Sequence, residues 1–243
     1  MSEQDRAKEA AAKRAAALVA PGMRLGLGTG STAERFVKAL GGRMAREGFS
    51  VSGVPTSERT AHLAEEYGIK LLSLDEAGAL DLAVDGADEA DSAFRLIKGG
   101  GGALLREKLV AGAARRTVIL IDPSKRVDRL GRFALPVEVV GFGARLTLEK
   151  IDALIRVHGT AGSDARLRRD DYGEPFVTDG GNLIVDAPFG AIRDASALAD
   201  DLKRITGVID HGLFIGLCHS IIIGAPDGSS SLVNREEPGS VQS

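Results

Sequence analysis

The sequence predicts an α/β protein. The expected architecture is a Rossmann-like parallel sheet with helices on both faces, plus a smaller inserted α+β unit of ferredoxin-like, split βαβ order. Three observations carry that expectation. Short apolar, β-branched runs such as Thr117-Val118-Ile119-Leu120-Ile121 alternate with longer helical patterns through the first half of the chain. Polar turns rich in glycine and hydroxyls follow the strand ends. Further along, the order changes to β-α-β-β-α-β before an apolar run over 213–224 returns to the first sheet.

Taken in order, residues 5–19 mix alanine with charge and predict a helix that Pro21-Gly22 terminates. A strand over 24–27 opens into Gly28-Thr29-Gly30-Ser31-Thr32, and 33–46 reads as helix. A strand over 50–54 leads through Pro55-Thr56-Ser57 into a helix over 58–67, with Gly68 as its C′ residue. Strands follow at 69–72 and 82–84, then a helix over 103–114 and a strand over 117–121. Ligands of such sheets bind beyond the carboxyl ends of the strands, so the polar segments there are expected to converge on one rim. In the second unit a strand over 135–140 precedes a helix over 145–157 bearing Leu146, Leu148, Ile151, Leu154 and Ile155. After a short strand over 165–169, Phe176-Val177-Thr178 and Leu183-Ile184-Val185 flank Asp179-Gly180-Gly181-Asn182, a hairpin signal. A helix over 195–205 and a strand from Val208-Ile209 complete it. The expected division is 1–132 with 207–234 as the larger unit and 133–206 as the smaller. A polar tail over 235–243 is expected to be disordered.

Composition narrows the function classes. The 243 residues carry a net charge of −3 with acids and bases interspersed, which argues against nucleic acid or an anionic membrane as partner. Cys218 is the single cysteine, so no intrachain disulfide or paired-cysteine zinc site is available, and a buried thiol is expected. The charged N-terminal segment lacks a signal-peptide core, and no run approaches a membrane span; a cytoplasmic location is expected. His62, His158, His211 and His219 show no metal-ligand spacing.

The chemistry concentrates in residues 85–108. Gly99-Gly100-Gly101-Gly102 is costly to order, which makes sense where a backbone approaches a ligand closely. Lys98 stands at its entrance and Glu107 on the helix beyond. Upstream, Asp85-Gly86-Ala87-Asp88-Glu89 places three carboxylates in five residues after an apolar strand. Cation, bare amides and acid/base groups together suit an anionic substrate that needs proton transfer. A solvated surface turn is the plain alternative for these acids, weakened because Asp85 directly follows the apolar Leu82-Ala83-Val84, and a divalent-cation site is less necessary with Lys98 to supply positive charge. Helical spacing sets Glu107 opposite Leu105 and Leu109, away from the core. In Gly26-Leu27-Gly28-Thr29-Gly30-Ser31-Thr32 a dinucleotide fingerprint fails at Ser31 and a Walker loop fails for want of a lysine. What remains is a strand-to-helix turn suited to a small phosphate, or a tight turn capped by Ser31 or Thr32. Asp122-Pro123-Ser124-Lys125 is either a helix start or a second basic arm.

These motifs in combination resemble the A type of ribose-5-phosphate isomerase. The matching stretches also include Thr56-Ser57, Leu135-Pro136-Val137-Glu138-Val139, Thr178-Asp179-Gly180-Gly181-Asn182 and Gly212-Leu213-Phe214, in family order over 26–224. The resemblance implies interconversion of D-ribose 5-phosphate and D-ribulose 5-phosphate through an enediolate, without metal or organic cofactor, by a homodimer or dimer of dimers. It implies Glu107 as the base between C1 and C2, with Asp85, Asp88 and Lys98 handling ring opening, hydroxyl protons and carbonyl charge. Thr29, Gly30, Ser31, Thr32 and Lys125 are implied to hold the phosphate end, and Gly86, Ala87, Gly99, Gly100 and Gly101 to lie against the sugar. Two alternatives share the scaffold: a sugar-phosphate-sensing domain, for which the N-terminus leaves no room for a DNA-binding helix-turn-helix, and a related enzyme such as a deaminase or coenzyme A transferase.

Overall fold

The computed structural model describes residues 2–161 and 164–236. Along the first half of the chain the elements run α1 (Glu3–Ala16), β1 (Arg24–Leu27), α2 (Ser31–Glu47), β2 (Ser52–Pro55), α3 (Glu58–Glu66), β3 (Lys70–Leu71), α4 (Leu74–Ala77), β4 (Leu82–Gly86), β5 (Glu89–Ala90), β6 (Leu96–Ile97), α5 (Leu104–Ala113) and β7 (Thr117–Ile121). The second half adds β8 (Leu135–Val139), α6 (Ala144–His158), β9 (Arg166–Leu167), β10 (Leu183–Ala187), α7 (Ala195–Lys203), β11 (Val208–His211), β12 (Leu213–Phe214), β13 (Ser220–Gly224) and β14 (Ser230–Asn234).

Seven strands form the main sheet in the order β14-β13-β7-β4-β1-β2-β3, parallel throughout except for the β13–β14 pair. Alternation along β1 explains the covering of both faces. Leu25 and Leu27 point into a core with Ala11, Ala15, Phe36, Leu40, Val84 and Leu120, so α1 and α2 cover that face. Gly26 points the other way, toward Val110 of α5 and Ala83. From β1 the chain proceeds outward to β2 and β3, whereas β4 lies on β1's opposite side and leads to β7 and β13. The order therefore reverses between β1 and β4, the crevice where open α/β sheets bind ligands.

The four-stranded sheet has the order β11-β8-β10-β9, antiparallel throughout, which is the split βαβ arrangement. Helices α6 and α7 supply Ile151, Ile155, Leu198 and Leu202 to its core around Val137, Val139 and Val185. A third sheet, β12-β6-β5, has strands of two residues each and links the two larger ones; the sequence does not predict it. The hairpin over 176–185 is looser than expected: Val177 and Leu183 form an isolated bridge, while Val185 pairs with Leu167 of β9 and Pro175 bridges Arg169 instead. Its tip is nonetheless fixed: buried Glu138 accepts hydrogen bonds from Thr178 Oγ1 and Asn182 Nδ2, both at 3.0 Å. The expected tail disorder concerns mainly residues 237–243, which lie outside the described ones; Arg235 N–H donates to the His219 carbonyl. Cys218 is fully buried, and that burial pushes its thiol up to about 12.

Candidate active site

The ends of β1, β4 and β7 supply the site, because neighbouring parallel strands bring their carboxyl ends to one rim. Beyond β1, Gly28 N–H donates to the Val84 carbonyl at 2.9 Å. A Cβ on Gly28 would lie 2.1 Å from Asp85 Oδ1, so this glycine makes room for the aspartate. Asp85 Oδ1 accepts from the N–H groups of Thr29 and Gly86 at 3.1 and 2.7 Å, and its Oδ2 lies 2.9 Å from Lys98 Nζ. Lys98 also donates to the Gly86 carbonyl at 2.6 Å and stands 5.4 Å from the Phe214 ring centroid. Asp88 faces the glycine loop, accepting from Gly100 N–H at 2.7 Å. Glu89, the third acid of the turn, turns away and braces the backbone at Gly131 and Phe133.

Glu107 departs from the helical-wheel expectation. It is only 4 % exposed, whereas Leu109 is 55 % exposed. The inward face of α5 is Leu104, Glu107, Val110 and Ala111, a three-to-four spacing that includes the carboxylate because Lys98 lies opposite it. Glu107 Oε2 sits 3.4 Å from Lys98 Nζ and is a buried side-chain oxygen with no hydrogen-bond partner. Burial pushes its carboxyl up to about 8; the Lys98 charge opposes that rise, and Asp85 and Asp88 add to it. Burial works against the Lys98 ammonium, but Asp85 and Glu107 outweigh it and hold the lysine above its ordinary range. One ammonium does not offset two buried carboxylates. Asp85 has the closer lysine contact and two backbone donors, so Glu107 is the better resting place for the remaining proton.

One cavity is lined by Thr29, Gly30, Ser31, Thr32, Gly86, Ala87, Asp88, Lys98, Gly99, Gly100, Gly101, Glu107 and Lys125. Every sequence-predicted site residue except Asp85 faces it, and Asp85 stands directly behind through Lys98. At its phosphate-suited end α2 begins at Ser31 with Gly30 as N-cap, and no side chain caps it. The alternative of a Ser31 or Thr32 cap is therefore not what the fold uses, and the first-turn amides face the cavity mouth. The Thr29 hydroxyl is committed to Thr56 Oγ1 at 2.7 Å and Ser57 Oγ at 2.9 Å, which explains the Thr-Ser pair beyond β2. The sequence reading does not single out Gln4 and Lys8 of α1, yet both line the cavity, and Lys8 Nζ donates to Ser31 Oγ at 3.0 Å. Nothing in the alternating charges of α1 distinguishes Lys8 from Lys13. Among the described residues, no group of three or more His, Cys, Asp or Glu is arranged to hold a metal ion.

Fold and site together define an α/β enzyme with an uncapped helix entry beside a buried lysine–carboxylate cluster. The family model for ribose 5-phosphate isomerase A (phosphoriboisomerase A) matches residues 52–228. A ribose-5-phosphate isomerase A from Parvibaculum lavamentivorans is 54% identical over 225 residues, covering 93% of this chain and 96% of that protein. One from Sinorhizobium fredii is also 54% identical, covering 91% and 95%. Among solved structures, ribose 5-phosphate isomerase A from Methanocaldococcus jannaschii superposes with a TM-score of 0.87 at 38% identity, covering 96% of this chain and all of that one. A D-ribose-5-phosphate isomerase in complex with phospho-erythronic acid gives 0.87 at 36% identity, covering 94% and 97%. The chain belongs to the ribose 5-phosphate isomerase A family.

Proposed function

We propose that this protein interconverts D-ribose 5-phosphate and D-ribulose 5-phosphate by proton transfer through an enediolate. The single observation that carries the mechanism is Glu107: a buried carboxylate whose Oε2 has no hydrogen-bond partner, facing the cavity 3.4 Å from a buried ammonium. A carbon-bound proton beside a carbonyl becomes acidic only when charge on oxygen is stabilised, so base and cation are needed together. Glu107 takes the proton from one carbon and returns it to the other. Lys98 stabilises the developing oxyanion. Asp85 holds Lys98, and Asp88, reaching the cavity beside Gly100, exchanges hydroxyl protons during ring opening. The α2 entry over 30–32, with Lys8 and Lys125 on either side, receives the phosphate. Contacts there are remote from the reacting carbons and orient them.

The same reading takes 133–206 as a small unit inserted into a catalytic unit of 1–132 and 207–234, in a cytoplasmic homodimer or dimer of dimers. Support comes from the core of the four-stranded sheet, which also takes in β11 (Val208–His211) and so carries the small unit past residue 206. No described helix is long and apolar enough to cross a membrane.

Turnover in D₂O tests the mechanism. A proton held on Glu107 exchanges with solvent, so deuterium is expected on C1 of recovered ribulose 5-phosphate or C2 of recovered ribose 5-phosphate. No label after many turnovers, with full transfer of a C2 deuterium to C1, would mean a hydride shift and remove Glu107 as base.

A further inference from the structure

Four consecutive glycines have little preference of their own for one conformation, so beyond the single turn bond from Gly102 N–H to the Gly99 carbonyl, at 2.9 Å, the shape of the loop over 99–102 has to be imposed by its neighbours. One of those neighbours comes from the four-stranded sheet and belongs to none of the groups discussed so far. Arg168 follows β9, and its side chain is only 13 % exposed. Its Nη1 donates to the carbonyls of Gly99 and Gly100 at 3.1 and 2.9 Å. Its Nε and Nη2 grip Asp186 of β10 at 2.9 and 2.5 Å, a two-pronged contact that fixes the guanidinium plane. The same guanidinium lies 5.7 Å from the centroid of Phe176. Phe176 in turn presses on Gly102, where φ is +81° and an added Cβ would come 2.4 Å from ring carbon Cε1.

Peptide geometry gives this grip a consequence at the site. In a trans peptide the N–H points opposite the C=O of the same unit. The unit joining Gly99 to Gly100 is held at both ends, its carbonyl by Arg168 and its N–H by Asp88. The next unit has its carbonyl on Arg168, so its N–H, that of Gly101, points back toward the cavity that Gly101 lines. We propose that Arg168, oriented by Asp186, is a positioning residue that shapes the glycine loop and aims the Gly101 amide at the bound sugar phosphate. The proposal rests on the isomerase reading for the identity of the ligand. It assigns no contact between Arg168 and the substrate. The arginine acts through the loop it holds, and a lysine in its place cannot hold two carbonyls and a carboxylate with one planar fork.

The test compares the wild-type protein with Arg168→Ala, Arg168→Lys and Asp186→Asn, using ribose 5-phosphate turnover, inorganic phosphate as competitive inhibitor, and amide exchange over residues 98–104. A displaced loop is expected to lower kcat of Arg168→Ala by roughly 10²-fold, the scale of a small misplacement of reacting groups. The inhibition constant of phosphate should stay within about twofold, because the α2 entry is untouched. Loop amides should exchange faster, Arg168→Lys should remain impaired, and added guanidinium should restore part of the Arg168→Ala activity while leaving Glu107→Gln inactive. Asp186→Asn should shift the same readouts less, and combining it with Arg168→Ala should add little. Unchanged kcat and loop exchange in a folded Arg168→Ala protein would overturn the assignment. A parallel loss of phosphate inhibition without guanidinium rescue would do so too, since it marks a general loss of structure. If Arg168→Ala does not fold, Arg168→Lys decides by the same readouts. A wild-type protein that turns over no ribose 5-phosphate would instead defeat the isomerase reading, and loop exchange would then decide the role of Arg168 by itself.

Discussion

Asp85, Lys98 and Glu107 share a pocket from which water is largely excluded: burial raises the carboxyls of Asp85 and Glu107 against the pull of Lys98, whereas at Lys98 the carboxylates outweigh burial. Glu107→Gln keeps the shape and removes the proton acceptor, so kcat should fall by ~10²–10⁴. In the wild-type protein the acid limb of kcat/KM, which reports free-enzyme ionisation, should lie near the value of about 8 to which burial pushes Glu107. A limb between pH 4 and 5 would mean that burial does not raise the Glu107 carboxyl, and loss of that limb in Glu107→Gln would still be needed to assign it to this residue. Stability gives an independent check. Because its carboxyl is raised on folding, Glu107 contributes stability that is full below the unfolded value of 4.5 and is lost as pH rises through about 8. Glu107→Gln should therefore raise Tm relative to wild type at pH 9 and change it much less at pH 4. The types and spacing of these residues are legible in the sequence, since Lys98 and the acids of 85–89 flank a glycine run. That Glu89 turns away and Glu107 turns inward is not, because the outcome depends on what α5 packs against.

Helix α1 shows what an element contributes beyond its own stability. It covers the main sheet with Ala11, Ala12 and Ala15, and it also reaches the site through Gln4 and Lys8. Lys8→Ala and Lys125→Ala should each raise KM for ribose 5-phosphate and the inhibition constant of inorganic phosphate together, by roughly ten- to a hundredfold if each loses a charge-assisted contact of ~1.5–3 kcal/mol. Their kcat should stay close to wild type. A change confined to kcat would take both lysines out of the phosphate end. Elements with a clear period are the legible ones: β1 and β7 run where the apolar pattern puts them, and α2, α5 and α6 end within two residues of expectation. The strands β5, β6 and β12 are two residues long and have no period to read, and β14 is a polar edge recognised only through its pairing with β13. The tie between Arg168 and the glycine loop is equally silent in sequence, being a contact across 68 and 69 positions.

At the scale of the molecule, two sheets with their own cores meet at the loop over 98–102, so occupying the cavity should stabilise the whole protein. Ligand at a hundred times its Kd should add about 2.7 kcal/mol to unfolding, read as a rise in Tm with ribose 5-phosphate that ribose does not match. Dialysis against EDTA should leave turnover intact, because the cation beside Asp85 and Glu107 is Lys98; loss reversed by Mg²⁺ would contradict that assignment.

The place of β13 in the main sheet also bears on the order in which the protein assembles. β13 lies between β7 and β14 and packs against α1 so closely that a Cβ on Gly224 would fall 1.8 Å from the Ala7 carbonyl. During synthesis α1 leaves the ribosome well before β13, the strand that completes its seat, which arrives some two hundred residues later. Lys98 likewise waits for Gly212, whose carbonyl accepts its backbone N–H, and for the ring of Phe214. A growing chain that already holds every charged group of the pocket therefore still lacks these contacts to Lys98, which form only once β12 and the residue before it are in place.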